Sequence, residues 1–221
     1  AAAGKSDLIT ANTTLPLPRS LWADPHHHGV LCTVKNALLY ASIDGGHAWT
    51  LVSSLNDGTK WIAIGSVSFD PSRSGVLYAS TDAGIFRSLD GGATWSLFDA
   101  LANAVITVAP SRSATLYRAG LGLARSDDGG ATWTQLAMPS GIVTVDPFSD
   151  RSVWVFSDRN LYHSADGGAT WALEASFAAT ITAVVIDRDG THIHVALNPD
   201  VPPSELDATI RSERRRSMLS P

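Results

Sequence analysis

Apolar and β-branched residues in this chain come in short runs bounded by proline, glycine and aspartate, and the runs recur in the same order several times. Such runs predict β-strands. Ile142 to Val145 closes on Asp146 and Pro147 and reads as the innermost strand of a sheet, stopped because proline has no amide to donate. A second strand is expected in Val76 to Ala79, Thr115 to Arg118 and Ser152 to Val155, and a third in Gly84 to Ser88 and Asn160 to Ser164. A fourth begins at the tryptophan that follows.

One phrase punctuates the pattern four times. It runs Ser42-Ile-Asp-Gly-Gly-His-Ala-Trp49 in the first copy, and Ser-x-Asp-Gly-Gly-Ala-Thr-Trp from Ser88 to Trp95, Ser126 to Trp133 and Ser164 to Trp171. The four serines lie 46, 38 and 38 residues apart. That period suits one four-stranded propeller blade and is too long for a leucine-rich repeat. An Asp-Pro pair stands 18 residues before the serine at Asp24, Asp70 and Asp146, and Ala109-Pro110 replaces it in the third copy, so the repeat covers the whole blade. The expected fold is therefore all-β, a β-propeller of four-stranded antiparallel blades forming a single domain over residues 1–221.

The phrase must close the hairpin between third and fourth strands. An aspartate accepts hydrogen bonds from amides of its own turn, and paired glycines take positive φ at little steric cost. Asp44, Asp90, Asp128 and Asp166 thus read as turn clasps. Five residues after each come Trp49, Trp95, Trp133 and Trp171, whose indoles can each bury about 150 to 250 Å² between neighbouring sheets.

These residues resemble the Asp-box, or BNR, repeat family, whose pattern Ser/Thr-x-Asp-x-Gly-x-Thr-Trp is met in full by three copies and departs at His47-Ala48 in the first. The resemblance covers roughly residues 20 to 175. The family includes sialidases, xyloglucan-cleaving glycoside hydrolases, sortilin-type receptors and photosystem assembly factors. It implies a structural turn away from the active face, and hence a propeller without implying an activity.

A fifth blade begins with Thr180 to Asp187 and Thr191 to Leu197. Ile210-Arg211-Ser212 then matches Phe86-Arg87-Ser88, but Arg214 replaces the aspartate, Arg215 and Arg216 the glycines, and Leu219 the tryptophan. Asp7 to Asn12 precedes the first inner strand as each fourth strand precedes the next blade. Five blades are expected, with this N-terminal strand completing the last and hiding both end edges. The alternative is a fragment of a six- to eight-bladed ring.

Composition narrows the partners. A net charge of −5 and a pI near 5.7 offer no general attraction for phosphate backbones, so nucleic acid is excluded as a partner class. Arg214 to Arg216 reads as a solvated tail. Cys32 is the only cysteine, which rules out an internal disulfide and a thiolate metal cluster; among Val30, Leu31 and Val34 it reads as a buried, inert thiol. No apolar run approaches the roughly 18 to 20 residues that span a bilayer as a helix. Ala1 to Ala3 are of the type left at a signal cleavage site, which points to a secreted or extracytoplasmic setting, though trimmed cloning residues would look the same. Asn12-Thr13-Thr14 fits a glycosylation sequon. His26 to His28 sit in a first-to-second-strand turn, and His192 and His194 share one strand face, but neither group has an assignable third ligand. No metal and no cofactor is implied.

Propeller geometry places the Asp-Pro pairs and boxes on one face and the second-to-third turns with the inter-blade connections on the other. The irregular face is the expected binding face. It would present Asp57, Lys60 and Trp61 after blade one, Asp82 in blade two, Arg118 in blade three, and Asp158 with Arg159 in blade four. An indole beside carboxylates is a way to hold carbohydrate, and two facing carboxylates at about 5 to 10 Å would allow glycoside hydrolysis. A sialidase, by resemblance, needs a catalytic tyrosine, three arginines and an Arg-Ile-Pro motif. All four tyrosines fall at repeat positions, Tyr78 and Tyr117 in second strands and Tyr40 and Tyr162 in third strands, and Pro18-Arg19-Ser20 is the nearest sequence to the motif. Xyloglucan-cleaving relatives share the Asp-Pro, Leu-Tyr and Arg-Ser-x-Asp-Gly-Gly combination but use many more blades. No phosphate loop, nucleophile elbow or two-histidine zinc helix is present. The expected function is a non-enzymatic binding or scaffold module recognising a protein or a carbohydrate through the face opposite the boxes, with no catalytic residue assigned and the oligomeric state open. The alternative is a sialidase-like or xyloglucanase-like glycoside hydrolase, or a fragment of one.

Overall fold

The computed structural model describes residues 21–36, 38–53, 55, 62–138, 141–187, 190, 192–197 and 209–211, and among them all regular structure is β-strand. The chain divides into two compact units, Ala1–Val105 and Ile106–Pro221. The fold is of the β-propeller class, built from four-stranded antiparallel sheets.

The first unit holds two of them. One runs β1 (Leu21–Ala23), β2 (Leu31–Lys35), β3 (Leu38–Ser42), β4 (Thr50–Ser53), and the other β5 (Ile64–Phe69), β6 (Leu77–Thr81), β7 (Gly84–Ser88), β8 (Ser96–Asp99), each strand pairing only with its chain neighbour. Side chains of both sheets share one core: Cys32 and Leu39 from the first meet Ile64, Val67, Leu77 and Ala79 from the second. All five residues of β6 are buried, as a middle strand covered on both faces must be.

A third sheet starts at the boundary with β9 (Val105–Val108) and continues through β10 (Leu116–Gly120), β11 (Gly122–Ser126) and the two-residue β12 (Thr134–Gln135). The fourth comprises β13 (Ile142–Asp146), β14 (Ser149–Ser157), β15 (Asn160–Ser164) and β16 (Ala172–Ser176), and the fifth has three described strands, β17 (Ile181–Ile186), β18 (His192–Leu197) and β19 (Thr209–Arg211). Two cores stitch this unit: Tyr117 and Leu123 pack with Val143, Val145, Val153 and Val155, while Trp154, Phe156 and Leu161 pack with Ile181, Val184 and Ile193.

Strand order follows the sequence reading, with three differences. Each fourth strand starts one residue after its tryptophan, which stays outside the ladder with a half-buried side chain. β14 begins at Ser149, three residues before the expected start. Ile210 pairs with Ile193, the place Ser88 takes opposite Leu77, so the last strand sits two residues away from the register expected from Phe86-Arg87-Ser88. Asp7 to Asn12, expected to complete the fifth sheet, lie outside the described residues, as do Arg214 to Arg216 and Leu219.

The serine and aspartate of each phrase build the same turn four times. Ser88 Oγ donates to Asp90 Oδ1 (2.8 Å) and accepts from the amide of Gly92 (2.8 Å), while Asp90 Oδ1 accepts from the Thr94 amide (2.9 Å). The Thr94, Thr132 and Thr170 hydroxyls donate to the second carboxylate oxygen at 2.5 to 2.6 Å; Ala48 in the first copy supplies only its amide. Threonine hydroxyl first, then amide and serine, hold Asp90 and Asp128 down at about 2, and Asp166 lower still. The two glycines take φ of +74 to +77° and +92 to +97°. The first also ties its amide to the first-to-second-strand turn of its own sheet, as Gly91 does to Gly75 O (2.9 Å), which puts the aspartate turns and Asp-Pro turns side by side. In the second and fourth copies the second glycine packs on the preceding sheet: a Cβ on Gly92 would lie 3.3 Å from Val52, and one on Gly168 would meet Leu136. Trp95 and Trp171 pack against the shared cores of their units and donate their indole N–H to Gly92 O (2.8 Å) and Gly168 O (3.1 Å).

Candidate functional site

At the end of each sheet opposite its aspartate turn, two of the expected carboxylates hold loop connections. Asp82 lies in the β6–β7 turn, where its Oδ1 accepts from the amide of Ala63 at 3.0 Å, just ahead of β5. Asp158, in the β14–β15 turn with φ +56°, accepts from the Thr180 hydroxyl at 3.3 Å, and its carbonyl takes the amide of Ile181 at 2.8 Å. Both carboxylates thus pin a connection to the next inner strand or to their own. The Arg159 carbonyl accepts from the Phe177 amide at 2.9 Å and its side chain is exposed. Arg118 stands over the indole of Trp133, 4.6 Å from the ring centroid, a cation–π contact within one sheet. Leu121, at the tip of the β10–β11 hairpin, is 86% exposed. Asp57, Lys60 and Trp61 lie outside the described residues.

A second polar assembly forms on the opposite side, between the third and fourth sheets. Its centre is Arg125 on β11, directly across the ladder from Tyr117 on β10. The Arg125 side chain is only 11% exposed, and its guanidinium donates to Asp127 at 2.6 Å, to the Tyr117 hydroxyl at 3.1 Å and to the carbonyl of Gly167 in the next aspartate turn at 3.2 Å. Tyr117 in turn donates to the Asp150 carbonyl at 2.8 Å, and Thr115 to the Asp150 carboxylate at 2.8 Å. Burial works against the charge of Arg125, yet its bond to Asp127 keeps the guanidinium above its ordinary value; the same bond holds the Asp127 carboxyl below its own. Burial pushes the Tyr117 phenol up to about 12, so it stays a donor.

Above this network opens a cleft of about 690 Å³, within the roughly 300 to 1,000 Å³ usual for small-ligand sites. Two further guanidinia line it. Arg112 is 55% exposed and sits 3.8 Å from Asp127 and 3.6 Å from Asp150, while Arg151 is exposed and donates to the Asp166 carbonyl at 3.4 Å. The sequence reading missed these residues. A usable signal existed: Tyr78 and Arg87 in the second sheet pair across strands as Tyr117 and Arg125 do, and the fourth sheet places Trp154 against His163 at the same register. There His163 stacks on Trp154 at 4.1 Å with Nε2 3.1 Å from Ser152 Oγ, but Glu174 is 3.8 Å from Nδ1, beyond hydrogen-bond reach, so no acid orients the imidazole as a base.

The histidines and cysteine are accounted for locally. His26 Nε2 meets the Asp70 carbonyl at 3.0 Å, His27 pairs with Asp24 at 2.9 Å and His192 with Asp187 at 2.8 Å; among the described residues no three ligating side chains gather as a metal site. Cys32 is 5% exposed, and burial with the nearby Asp24 charge pushes its thiol up to about 11.

No known protein family matches the chain by sequence, and no curated protein does. Solved structures do match. An ancestral GH74 enzyme aligns at 18% identity and a TM-score of 0.62 over 80% of this chain and 27% of its own. The GH74 xyloglucanase from Xanthomonas campestris aligns at 22% identity and 0.59, covering 79% and 34%, and YCF48 from Cyanidioschyzon merolae at 15% and 0.57, covering 76% and 63%. The chain therefore spans about a quarter to just under two thirds of these neighbours' lengths. They establish the class, a β-propeller fold that glycoside hydrolases share with YCF48. At these identities the likeness is one of fold. Among the described residues no helix is long and apolar enough to cross a membrane.

Proposed function

We propose that this chain is a non-enzymatic recognition module, with both units in one domain, that binds a glycan or a protein through the loop face opposite the aspartate turns and works in an extracytoplasmic setting. The observation that carries this reading is the use of Asp82 and Asp158. An acid–base pair for glycoside hydrolysis needs carboxylates free to meet a glycosidic oxygen and a water or anomeric carbon. Asp82 instead accepts at Oδ1 from the Ala63 amide ahead of β5, and Asp158 at Oδ1 from the Thr180 hydroxyl ahead of β17, so each carboxylate serves a connection between loops. Exposed groups remain for contact on that face, Arg159 and Leu121 among them, joined in this proposal by Asp57, Lys60 and Trp61; Arg118 instead lies over Trp133, toward the third aspartate turn. No cofactor or metal enters the reading.

A glycan-array screen of the whole chain tests it, followed by incubation of every bound glycan with the protein and chromatography of the products. Bound glycans recovered at full length support recognition without catalysis. Shortened products would establish the hydrolase alternative.

A further inference from the structure

We propose that the cleft between the third and fourth sheets, on the aspartate-turn side, is a binding site for a carboxylated sugar, a uronic acid residue of a polysaccharide. This site lies on the face opposite the one assigned above and does not depend on that assignment.

Three features of the cleft select the ligand. The first is charge: Arg112 and Arg151 open onto it with loose partners, Arg112 with the Asp127 carbonyl at 3.4 Å and carboxylates at 3.6 to 3.8 Å, and Arg151 with, among the described residues, the Asp166 carbonyl at 3.4 Å. A carboxylate between them would gain charge-assisted hydrogen bonds that neither guanidinium now makes well. Arg125 cannot serve in the same way, because its hydrogens already go to Asp127, Tyr117 and Gly167. It acts as a fixed floor that holds Asp127 in place.

The second feature is the mixture of donors and acceptors. Asp127, 54% exposed, faces the same space as the arginines, Asp166 lines it with its carboxylate held by Thr170 and Ser164, and Thr134 and Gln135 of β12 form part of the wall. A polyhydroxylated ring needs both kinds of partner, whereas a polyacidic peptide would meet the Asp127 charge at close range. One carboxylate surrounded by hydroxyls fits better than several carboxylates. Third, Leu136, Ala137 and Ala169 give the cleft an apolar strip against which the C–H face of a sugar can rest. The volume of about 690 Å³ admits one or two sugar rings.

The test is calorimetric titration of the whole chain with digalacturonate, with the neutral disaccharide digalactose and an acidic hexapeptide as parallel probes. Arg151→Gln and Arg112→Gln are the informative variants, since both side chains are exposed and neither belongs to the buried network; circular dichroism verifies that they fold. Digalacturonate should bind, digalactose should bind at least tenfold more weakly, and each variant should lower digalacturonate affinity by roughly tenfold, the effect of losing one charge-assisted contact. Arg159→Ala should leave it unchanged. Equal affinity for the neutral sugar, binding of the peptide alone, or no binding would each overturn the assignment. Loss of digalacturonate binding in Arg159→Ala but not in Arg151→Gln would move the sugar to the loop face, overturning this site while leaving the recognition proposal standing.

Discussion

Gly167→Ala offers a measurement of what the Arg125 network contributes, because the same turn position supplies its own control. Gly129 and Gly167 are both the first glycine of an aspartate turn, with φ +74° and +77°. A Cβ on Gly129 meets nothing within 4 Å, whereas one on Gly167 would run into Arg125 Nη1. An alanine forced into the left-handed region costs about 1 kcal/mol at either position. At Gly167 the guanidinium must also swing away, giving up the Tyr117 hydroxyl at 3.1 Å and the Gly167 carbonyl at 3.2 Å. Hydrogen bonds to a charged, mostly buried group contribute about 1.5 to 3 kcal/mol, so Gly167→Ala should exceed Gly129→Ala by that margin. For a chain of this size the gap corresponds to roughly 3 to 12 °C in melting temperature. Thermal and urea unfolding followed by tryptophan fluorescence would read both variants. In an Arg125→Met background the excess should vanish, since the group being displaced is gone. Equal losses at the two glycines, or an excess that persists without Arg125, would refute the network as a stabilising element.

The aspartate turns predict a pH dependence. Asp90 and Asp128 are depressed to about 2 from an ordinary 3.8, so their contribution is full above about pH 4 and fades as pH falls toward 2; acid titration by circular dichroism should show stability falling through that window, and a flat profile would contradict it. Thr94→Ala removes the hydroxyl bond that Asp44 also lacks, so carboxyl NMR titration should find Asp90 moved up; no movement would deny the hydroxyl its role. Cys32, with its thiol near 11, should resist a thiol reagent at pH 8 until denaturant is added, and stoichiometric labelling of the native chain within minutes would place it at the surface. Asp82→Ala should lower stability by about 1 kcal/mol through the lost Ala63 bond. Unchanged stability with weakened ligand binding would make Asp82 a contact residue instead.

The periodic features were legible because they are written along the chain. Asp146-Pro147 ends β13 as read, Gly84 to Ser88 is β7 residue for residue, and the serine and aspartate of the phrase make the turn their chemistry suggests. What spacing cannot carry is the identity of a neighbour across a sheet or between sheets. Asp82 and Asp158 were placed correctly on second-to-third turns, but their partners Ala63 and Thr180 lie 19 and 22 residues away, and only the fold shows these carboxylates occupied. Arg125 and Gly167, 42 residues apart, meet only because one aspartate turn docks beside the preceding sheet. Ile210 was misregistered for a related reason: without an intact turn to set its spacing, the last hairpin had no marker from which to count.

Amide hydrogen exchange at the second glycine of each turn tests the central claim most directly. The amides of Gly46, Gly92, Gly130 and Gly168 lie in surface turns, yet each donates to a buried serine hydroxyl at 2.7 to 2.8 Å. If these serine–aspartate turns fasten the sheets, the four amides should exchange as slowly as those of the buried strand β6. Exchange at the rate of an unstructured loop would show the turns to be ornaments on sheets held by something else.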